Sequence, residues 1–413
     1  MKKQKYLEDV NLSIVLFAFI FLLYAVVYMT KNMFSSAMAV IVEEGVMTKS
    51  QTGLINAIFW LVYAPFQIVG GFAADKYSPF KLIMIGLIGS LIANVVIYFN
   101  QSYYVMMGAW TFNAIIQFGV WPGVFKVVST QLAPEIRKKS VFWLLFATSV
   151  GLGISMLVAS FVTNWQNNFL VSAIGLAVMI VAYTILNGFL GKKMVEREME
   201  VEENSEQKPQ IEKQPMLPLL FSSGLIVFLV VCLFRVAVDN GIKMMTPVML
   251  MESYQNLPAA LSTRLSSILI IFSAIGIFVS GLMQKITTNE AKAQIILYSL
   301  SILPLVVVCA LGHIHYVWIL IALSVAITLI HGAAPFSQTF VALHFVKHGR
   351  IGTVSGILNA TASIGNVFAS YIFARMAESM PWWGVTLSWL VGITFCGVLC
   401  VMVLKRWTKF IRE

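Results

Sequence analysis

The sequence predicts an all-α integral membrane protein with twelve transmembrane helices. Of its 413 residues, 59% are hydrophobic and 11% are charged, whereas a soluble protein has about 25% charged residues. The apolar residues form twelve long runs, and a helix of about 20 apolar residues crosses a bilayer. A membrane β-barrel would show short alternating segments instead. This composition excludes a soluble globular enzyme, a disordered chain and a fibrous protein.

One polar segment separates six runs from six. The runs are residues 11–38, 50–74, 81–99, 103–131, 139–163, 167–190, 217–251, 260–284, 292–311, 314–345, 351–375 and 381–404. Residues 191–216 are rich in Glu, Lys and Gln, which is typical of a solvated linker, with a regulatory binding segment as the alternative. The predicted domains are therefore an N-terminal six-helix bundle (1–190), a cytoplasmic linker (191–216) and a C-terminal six-helix bundle (217–413).

The positive charges predict the orientation in the membrane. An even number of spans puts both termini on one side. With both termini inside, the inner segments carry 21 of the 28 Lys and Arg residues and the outer loops carry 3. Positive residues concentrate in cytoplasmic loops, so we expect cytoplasmic termini and a cell (cytoplasmic) membrane location. The net charge of +10 then faces anionic lipid and does not indicate a nucleic-acid partner.

The two halves look like parallel repeats. Pro122 precedes Arg137 by 15 residues, and Pro335 precedes Arg350 by the same 15. A helix rich in small residues follows each basic loop, and small residues let helix backbones approach closely in lipid. We expect these two helices to pack tightly. Parallel repeats of six spans predict two bundles related by a pseudo-two-fold axis.

The loop after the second run carries a recognisable motif. It reads GGFAADKYSPFK over residues 70–81, which resembles the cytoplasmic loop signature of the major facilitator superfamily. In this interpretation Gly71 permits close helix contact, and Asp75 and Lys76 belong to a conformational gate that latches the inward side shut. The corresponding segment of the second half, residues 280–285, lacks the acidic residue.

Five ionisable residues fall inside apolar runs and carry most of the functional argument. They are Lys31, Lys126, Arg235, Asp239 and Lys243. A charge at the bilayer centre costs about 2.5–3.5 kcal/mol, so it is usually paired or faces a water-filled cavity. The last three are four residues apart and share one helix face, with a net charge of +1. Adding the two lysines of the first half gives a charge near +3, which predicts an anionic substrate.

Each of these residues also has a structural interpretation. Lys31 and Lys243 could snorkel to an interface, and Asp239 could serve only as the internal partner of Arg235. Arg suits bidentate binding of phosphate or carboxylate. We therefore expect Arg235 and Lys126 to be the main substrate contacts at the midplane between the halves, with Lys31 and Asp239 in secondary roles.

Two further segments resemble one branch of the superfamily. Residues 118–122 (FGVWP), followed by Lys126, and residues 28–32 (YMTKN) are similar to the organophosphate:anion antiporters, which include transporters of glycerol 3-phosphate and hexose phosphate. Arg235 matches their seventh-span arginine. The resemblance implies exchange of a phosphate ester for inorganic phosphate.

The chain departs from this branch at four positions. Thr30 stands where those transporters have an arginine, and Gln67 replaces a lysine. Thr148 lies where a histidine is expected, and Lys126 replaces an arginine. Half of the arginine pair that clamps phosphate is therefore missing. A phosphate ester and a carboxylate or other organic anion both remain open as substrates.

Other polar and aromatic residues complete the predicted cavity. The candidates are Trp121, Tyr28, Gln117, Thr148 and Asn359, with packing and interhelical hydrogen bonds as the alternative roles. His331 and His344 are expected to lack an acidic partner, which argues against an enzyme and against a metal site. Proton coupling through His331 is an alternative, since histidine titrates near physiological pH.

The sequence thus predicts a secondary transporter that moves a small organic anion by alternating access. It would act as an antiporter, with phosphate as the counter-ion, or as a proton symporter. We expect a monomer in the lipid bilayer, with no enzymatic activity and no cofactor or metal. The alternatives are a membrane-bound anion sensor on the same scaffold and a facilitator-type exporter of neutral or cationic compounds.

Overall fold

The structure is a computed structural model, and it describes residues 3–144, 146–162, 164–198, 216–254, 257–311, 315–345 and 350–412. The all-α membrane fold is confirmed. The described part also contains two short strands, β1 (Lys3–Tyr6) and β2 (Val195–Glu198), which pair antiparallel. They were not predicted, and they lie outside the apolar runs.

Nineteen α-helices, with short 3₁₀ and π-helical segments between some of them, form the rest of the described fold. Those before the linker are α1 (Val10–Ser36), α2 (Met38–Glu43), α3 (Lys49–Lys76), α4 (Pro79–Phe99), α5 (Tyr103–Ile116), α6 (Val120–Thr130), α7 (Pro134–Leu144), α8 (Phe146–Phe161) and α9 (Trp165–Gly191). Those after it are α10 (Met216–Ser222), α11 (Leu225–Ser253), α12 (Ala259–Ser266), α13 (Ile268–Ile286), α14 (Glu290–Leu311), α15 (Tyr316–Gly332), α16 (Val341–Leu343), α17 (Ile351–Val367), α18 (Phe373–Ser379) and α19 (Trp382–Arg412).

The predicted spans correspond to these helices, but several of the runs are interrupted, for example at Ala37 in the first, at Ser267 in the eighth and by π-helical segments (Phe336–Phe340 and Phe368–Ile372) in the tenth and eleventh. Within the described residues, ten helical segments are long and apolar enough to cross a membrane, and the pair Pro134–Val141 and Phe146–Phe161, bent by 49°, makes an eleventh. The fourth predicted run is broken by a 3₁₀ turn at Gln117–Gly119. Proline has no N–H, so Pro122 cannot donate to the Phe118 carbonyl, and this explains the irregular backbone there.

The contacts divide the chain into two compact units. Unit 1 is Met1–Ala37 with Pro65–Pro209, and unit 2 is Met38–Ala64 with Gln210–Glu413. The units differ from the predicted halves, because residues 38–64 group with unit 2. The boundary falls inside α3 at Pro65, which removes a helical hydrogen bond. The predicted linker lies largely outside the described residues, so its role stays a prediction.

In unit 1, the helix rich in small residues packs against the first long helix. A Cβ atom added to Gly151 of α8 would lie 2.4 Å from the carbonyl oxygen of Ala25 and 2.8 Å from Cβ of Tyr28. Only glycine therefore allows α8 to lie this close to α1.

In unit 2, the corresponding helices repeat this contact. A Cβ atom added to Gly365 of α17 would lie 2.6 Å from the carbonyl oxygen of Leu233 and 2.8 Å from Cβ of Val236. The tight packing predicted for the two small-residue helices is therefore made by each helix within its own unit, against α1 and α11 respectively. This equivalence agrees with a six-span repeat.

One end of unit 2 holds a cluster that we call the Lys49 clamp, made of Lys49, Glu252, Ala377 and Trp382. The Lys49 ammonium lies 2.9 Å from both carboxylate oxygens of Glu252 and donates to the carbonyl of Ala377 at 2.8 Å. The indole N–H of Trp382 donates to Glu252 Oε2 at 2.9 Å. The clamp thus ties the start of α3 to the ends of α11 and α18.

A cavity of about 640 Å³ lies beside the clamp. Glu252, Cys309 and Trp382 contribute to its wall. Cys309 is half-buried, whereas the other three cysteines are buried. Thiol labelling of this protein therefore reports on the cavity.

We expect Gly151→Ala and Gly365→Ala each to destabilise the protein by about 1–3 kcal/mol, the usual effect of overpacking a tight contact. The added methyl group meets backbone atoms, which must move apart. Thermal unfolding of the purified protein in detergent measures this. Gly188→Ala is the matched control, because an added Cβ there meets open space, and it should be neutral or stabilising by up to about 1 kcal/mol. Equal effects at all three positions would contradict the packing argument.

We expect Lys49→Ala to raise the rate at which a maleimide labels Cys309 several-fold. Without the ammonium, Glu252 and the Ala377 carbonyl lose a shared donor, and the helix ends around the cavity separate more often. Lys285→Ala, on an exposed helix end, serves as the control and should leave the rate unchanged. An unchanged rate in Lys49→Ala would show that the clamp does not restrict the cavity.

Candidate functional site

Four ionisable side chains meet inside unit 2. Arg235, Asp239 and Lys243 belong to α11, and His331 belongs to α15; we call them the α11 charge cluster. Asp239 Oδ2 lies 3.7 Å from Arg235 Nη1, and Asp239 Oδ1 lies 3.0 Å from Lys243 Nζ. These contacts join residues one turn apart, as the four-residue spacing predicts.

His331 joins the cluster from the neighbouring helix. Its Nδ1 lies 2.9 Å from Asp239 Oδ2 and 3.3 Å from Lys243 Nζ. The expectation that His331 lacks an acidic partner is therefore wrong. His344 is a second such correction, since its Nε2 lies 2.8 Å from Glu290 Oε1. In both pairs the partners are far apart in the sequence, so spacing along one helix could not reveal them.

The members of the cluster differ in their exposure. The side chains of Arg235, Asp239 and Lys243 are 3%, 4% and 8% exposed, whereas that of His331 is 24% exposed. His331 is thus the most exposed member of the cluster. Arg235 Nε is buried and has no hydrogen-bond partner within the described residues, so one of the five N–H donors of the guanidinium is left unsatisfied.

Helix packing sets the position of His331. A Cβ atom added to Gly276 of α13 would lie 2.6 Å from the Thr328 carbonyl oxygen and 3.3 Å from His331 Cβ. The Thr328 hydroxyl also donates to the Phe272 carbonyl at 3.1 Å. These contacts hold the end of α15 against α13 and fix the imidazole ring beside Asp239.

Lys126 has a different environment from the one expected of a substrate contact. On α6 of unit 1, its ammonium donates to the carbonyl of Ala74, and to that of Tyr77 at 3.3 Å. Both carbonyls lie at the C-terminal end of α3, where a cation is favourable because of the helix dipole. The charge of Lys126 therefore already has a partner in the protein backbone.

This contact is next to the predicted gate. An added Cβ at Gly71 has open space around it, whereas one at Gly70 would overlap the Phe118 carbonyl. The close helix contact predicted for Gly71 is therefore made by Gly70. Lys76 is exposed at the last residue of α3, and the Asp75 side chain lies outside the described part of the structure. The gating role of Gly71, Asp75 and Lys76 stays a prediction.

Three other predicted residues come together in unit 1. The Trp121 ring centroid is 5.0 Å from that of Tyr24, which is 6.1 Å from that of Tyr28. The Lys31 ammonium lies 5.7 Å from the Tyr28 centroid, a cation–π geometry. Protein buries both Lys31 and Lys243 to 6% exposure, so the snorkelling alternative is wrong for both.

The remaining candidates have mixed environments. Gln117 is buried, and its amide donates to Ser90 Oγ at 3.1 Å and to Asn113 Oδ1 at 3.0 Å. The contact with Ser90 of α4 is an interhelical hydrogen bond, which was the alternative to a cavity role. Thr148 is half-buried in α8, and Asn359 is exposed on α17. Substrate binding by these three stays a prediction.

Known relatives include transporters and sensors. The chain is 26% identical to the membrane sensor protein UhpC of Escherichia coli over 158 residues, which is 37% of this chain and 36% of that protein. It is 21% identical to a probable hexose phosphate transport protein of Chlamydia trachomatis over 422 residues, covering 95% of this chain and 90% of that protein. The chain thus spans about a third of UhpC and most of the transport protein.

Fold and family agree with the resemblance found in the sequence. A bacterial homologue of the human lysosomal transporter Spinster, in its inward-facing unoccupied crystal structure, matches with a TM-score of 0.69 at 16% identity, over 98% of both chains. At this identity the match shows the fold alone. The family model of the Major Facilitator Superfamily matches residues 20–370, and the chain therefore belongs to the Major Facilitator Superfamily.

Proposed function

We propose that this protein is a secondary transporter that moves a small organic anion across the cell membrane by alternating access. The observation that carries the proposal is the uncompensated positive charge of the α11 charge cluster. Arg235 and Lys243 share one carboxylate, that of Asp239. With His331 neutral, the cluster has a net charge of +1, and an anion would complete it.

Electrostatics supports this assignment over a purely structural one. Removing a charge from water is costly, and a buried ion pair is stabilising only if its remaining donors are satisfied. Arg235 Nε lacks a partner among the described residues. A carboxylate, phosphate or sulfonate supplies the acceptor oxygens that a guanidinium binds in a bidentate way. The cluster therefore favours an anion over a neutral or cationic solute.

In this proposal the predicted contacts have different roles. Arg235 and Lys243 attract the anion, and Asp239 holds both in place. Lys126 instead fastens the C-terminal end of α3 beside the gate residues, because its ammonium donates to helix carbonyls. Lys31 and Tyr28 stay proposed secondary contacts. The charge asymmetry of the loops supports a cytoplasmic location for both termini.

A membrane sensor is the second candidate, since one relative is named as such. A sensor would bind the anion without carrying it across the membrane. The α11 charge cluster serves either role equally well. Binding without flux in sealed vesicles would therefore favour the sensor, and flux would favour the transporter.

We expect reconstituted protein to take up at least one labelled anion from a panel of phosphate esters, carboxylates and sulfonates. Arg235→Gln should reduce that uptake more than tenfold, because it removes a charge-assisted contact worth at least about 1.4 kcal/mol. Arg264→Gln, at an exposed arginine, is the matched control. Uptake of neutral solutes that Arg235→Gln leaves unchanged would refute the anion proposal.

We expect Asp239→Asn to destabilise the protein by about 3–5 kcal/mol, since it leaves two buried cations without their shared partner. An anion that occupies the cluster should then raise the thermal unfolding midpoint more in this variant than in the native protein, because a ligand of the folded state stabilises it in proportion to its affinity.

Arg375→Gln is the control for this measurement. It breaks an ion pair whose arginine side chain is 64% exposed, and such pairs contribute about 0–1 kcal/mol. A small effect of Asp239→Asn, with no extra stabilisation by any anion of the panel, would contradict the proposed site.

A further inference from the structure

His331 has one nitrogen committed to Asp239 and one that is not. Its Nδ1 lies 2.9 Å from the carboxylate oxygen Oδ2. An ionised carboxylate oxygen only accepts hydrogen bonds, so Nδ1 carries the N–H and donates it to Asp239. In the neutral ring Nε2 is then the acceptor nitrogen, and it is the atom where the imidazole gains a second proton.

The Lys243 ammonium is consistent with this assignment. It lies 3.3 Å from Nδ1 of His331 and 3.0 Å from Oδ1 of Asp239. An ammonium donates hydrogen bonds only, and Nδ1 already donates its own proton to the carboxylate. Lys243 therefore pairs with Asp239. Lys243 and His331 lie close together because both donate hydrogen bonds to the same carboxylate.

The other charged groups around His331 are few. Helix α15 packs against α11, α13 and α14. From α11 the imidazole faces Arg235, Asp239 and Lys243. The titratable side chains of α13 and α14 are Lys285, Glu290, Lys292, Tyr298 and Cys309. Among the described contacts, none of these five pairs with His331: Glu290 bonds His344 and Trp407, Tyr298 bonds Gln294, and Cys309 bonds Thr386.

We propose that His331 is the proton-binding group of this transporter, and that the protein is a proton–anion symporter. This inference rests on the proposed function, because it assigns the coupling ion of the same site. A proton from the solvent binds to Nε2, and the charge of the α11 charge cluster rises from +1 to +2. The anion binds to that cluster, and both ions leave on the opposite side of the membrane.

The sign of the coupling distinguishes symport from antiport. A positive charge added beside the cluster strengthens the binding of an anion. By linkage, the bound anion strengthens the binding of the proton by the same factor. Proton and anion therefore occupy the protein together. Asp239 does not suit the role of proton carrier, because its carboxylate already pairs with both Arg235 and Lys243.

The chain offers an internal control for this inference. His344 and Glu290 form a second histidine–carboxylate pair in the same unit, with an Nε2–Oε1 distance of 2.8 Å and a histidine side chain that is 28% exposed. Trp407 satisfies the other oxygen of Glu290 at 2.8 Å. Among the described contacts of Arg235, Asp239 and Lys243, none is with this pair. It therefore reproduces the histidine chemistry without the cationic cluster.

The experiment uses the full-length protein in sealed liposomes, with the membrane potential clamped by potassium and valinomycin. The probes are the phosphate esters, carboxylates and sulfonates of the uptake panel. Exchange at equal pH on both sides tests the proposed function. Accumulation driven by an acidic exterior, and acidification of an internal pH dye on addition of the anion, test the role of the proton.

For the native protein we expect internal acidification and an accumulation ratio that rises about tenfold per unit of imposed pH difference, as one proton per anion requires. In His331→Gln the accumulation ratio should fall to one, even if the variant exchanges the anion more slowly than the native protein does. His344→Gln should accumulate the anion as the native protein does. Thermal unfolding of each variant shows whether it is folded.

Each failure has a distinct signature. Exchange of an anion by the native protein without acidification would overturn the symport inference and leave the proposed function in place. So would a His331→Gln variant that still accumulates the anion in response to the pH difference. Failure of every panel anion to exchange would overturn the proposed function itself. Because the dye measurement uses the native protein, an unfolded variant does not prevent the test.

Discussion

The carboxylate of Asp239 is the group on which the interior of unit 2 depends. It is the shared partner of Arg235 and Lys243 on α11 and of His331 on α15. An unpaired charge inside the protein would cost several kcal/mol. Arg235 and Lys243 pair with the carboxylate within α11, and the packing of α15 against α11 adds the imidazole of His331. One acidic group cannot neutralise two permanent cations, so the cluster keeps a net positive charge, and this imbalance is the basis of the proposed anionic ligand.

Much of the fold was predictable, because a bilayer requires long apolar helices. The break in the fourth run is also predictable at Pro122, which lacks an N–H to continue the helix. The pairing of β1 with β2 was not, since it joins Lys3–Tyr6 to Val195–Glu198, two polar segments with no strand pattern. Residues 38–64 group with unit 2 through contacts such as the Lys49 clamp, whose partners are distant in the sequence.

The candidate site was predictable only within one helix. Residues four apart on α11 must share a face, so the contacts of Asp239 with Arg235 and Lys243 follow from their spacing in the sequence. The contribution of His331 depends on how closely α15 approaches, and Gly276 and Thr328 set that distance. The partners of Lys126 are backbone carbonyls, which every residue possesses, so side-chain chemistry could not reveal them.

This difference between Lys126 and Arg235 changes the charge that a ligand meets. The sequence count of cations in apolar runs includes Lys126, whose ammonium donates to backbone carbonyls at the end of α3, so in the proposal it is not a direct contact of the anion. The α11 charge cluster alone is +1 with neutral His331 and +2 with protonated His331. A carboxylate or sulfonate monoanion matches the first state. A phosphate monoester, whose second ionisation lies near pH 6, matches the second state as a dianion. In the proposed symport the anion binds together with the proton, so the proposal assigns anion binding to the +2 state.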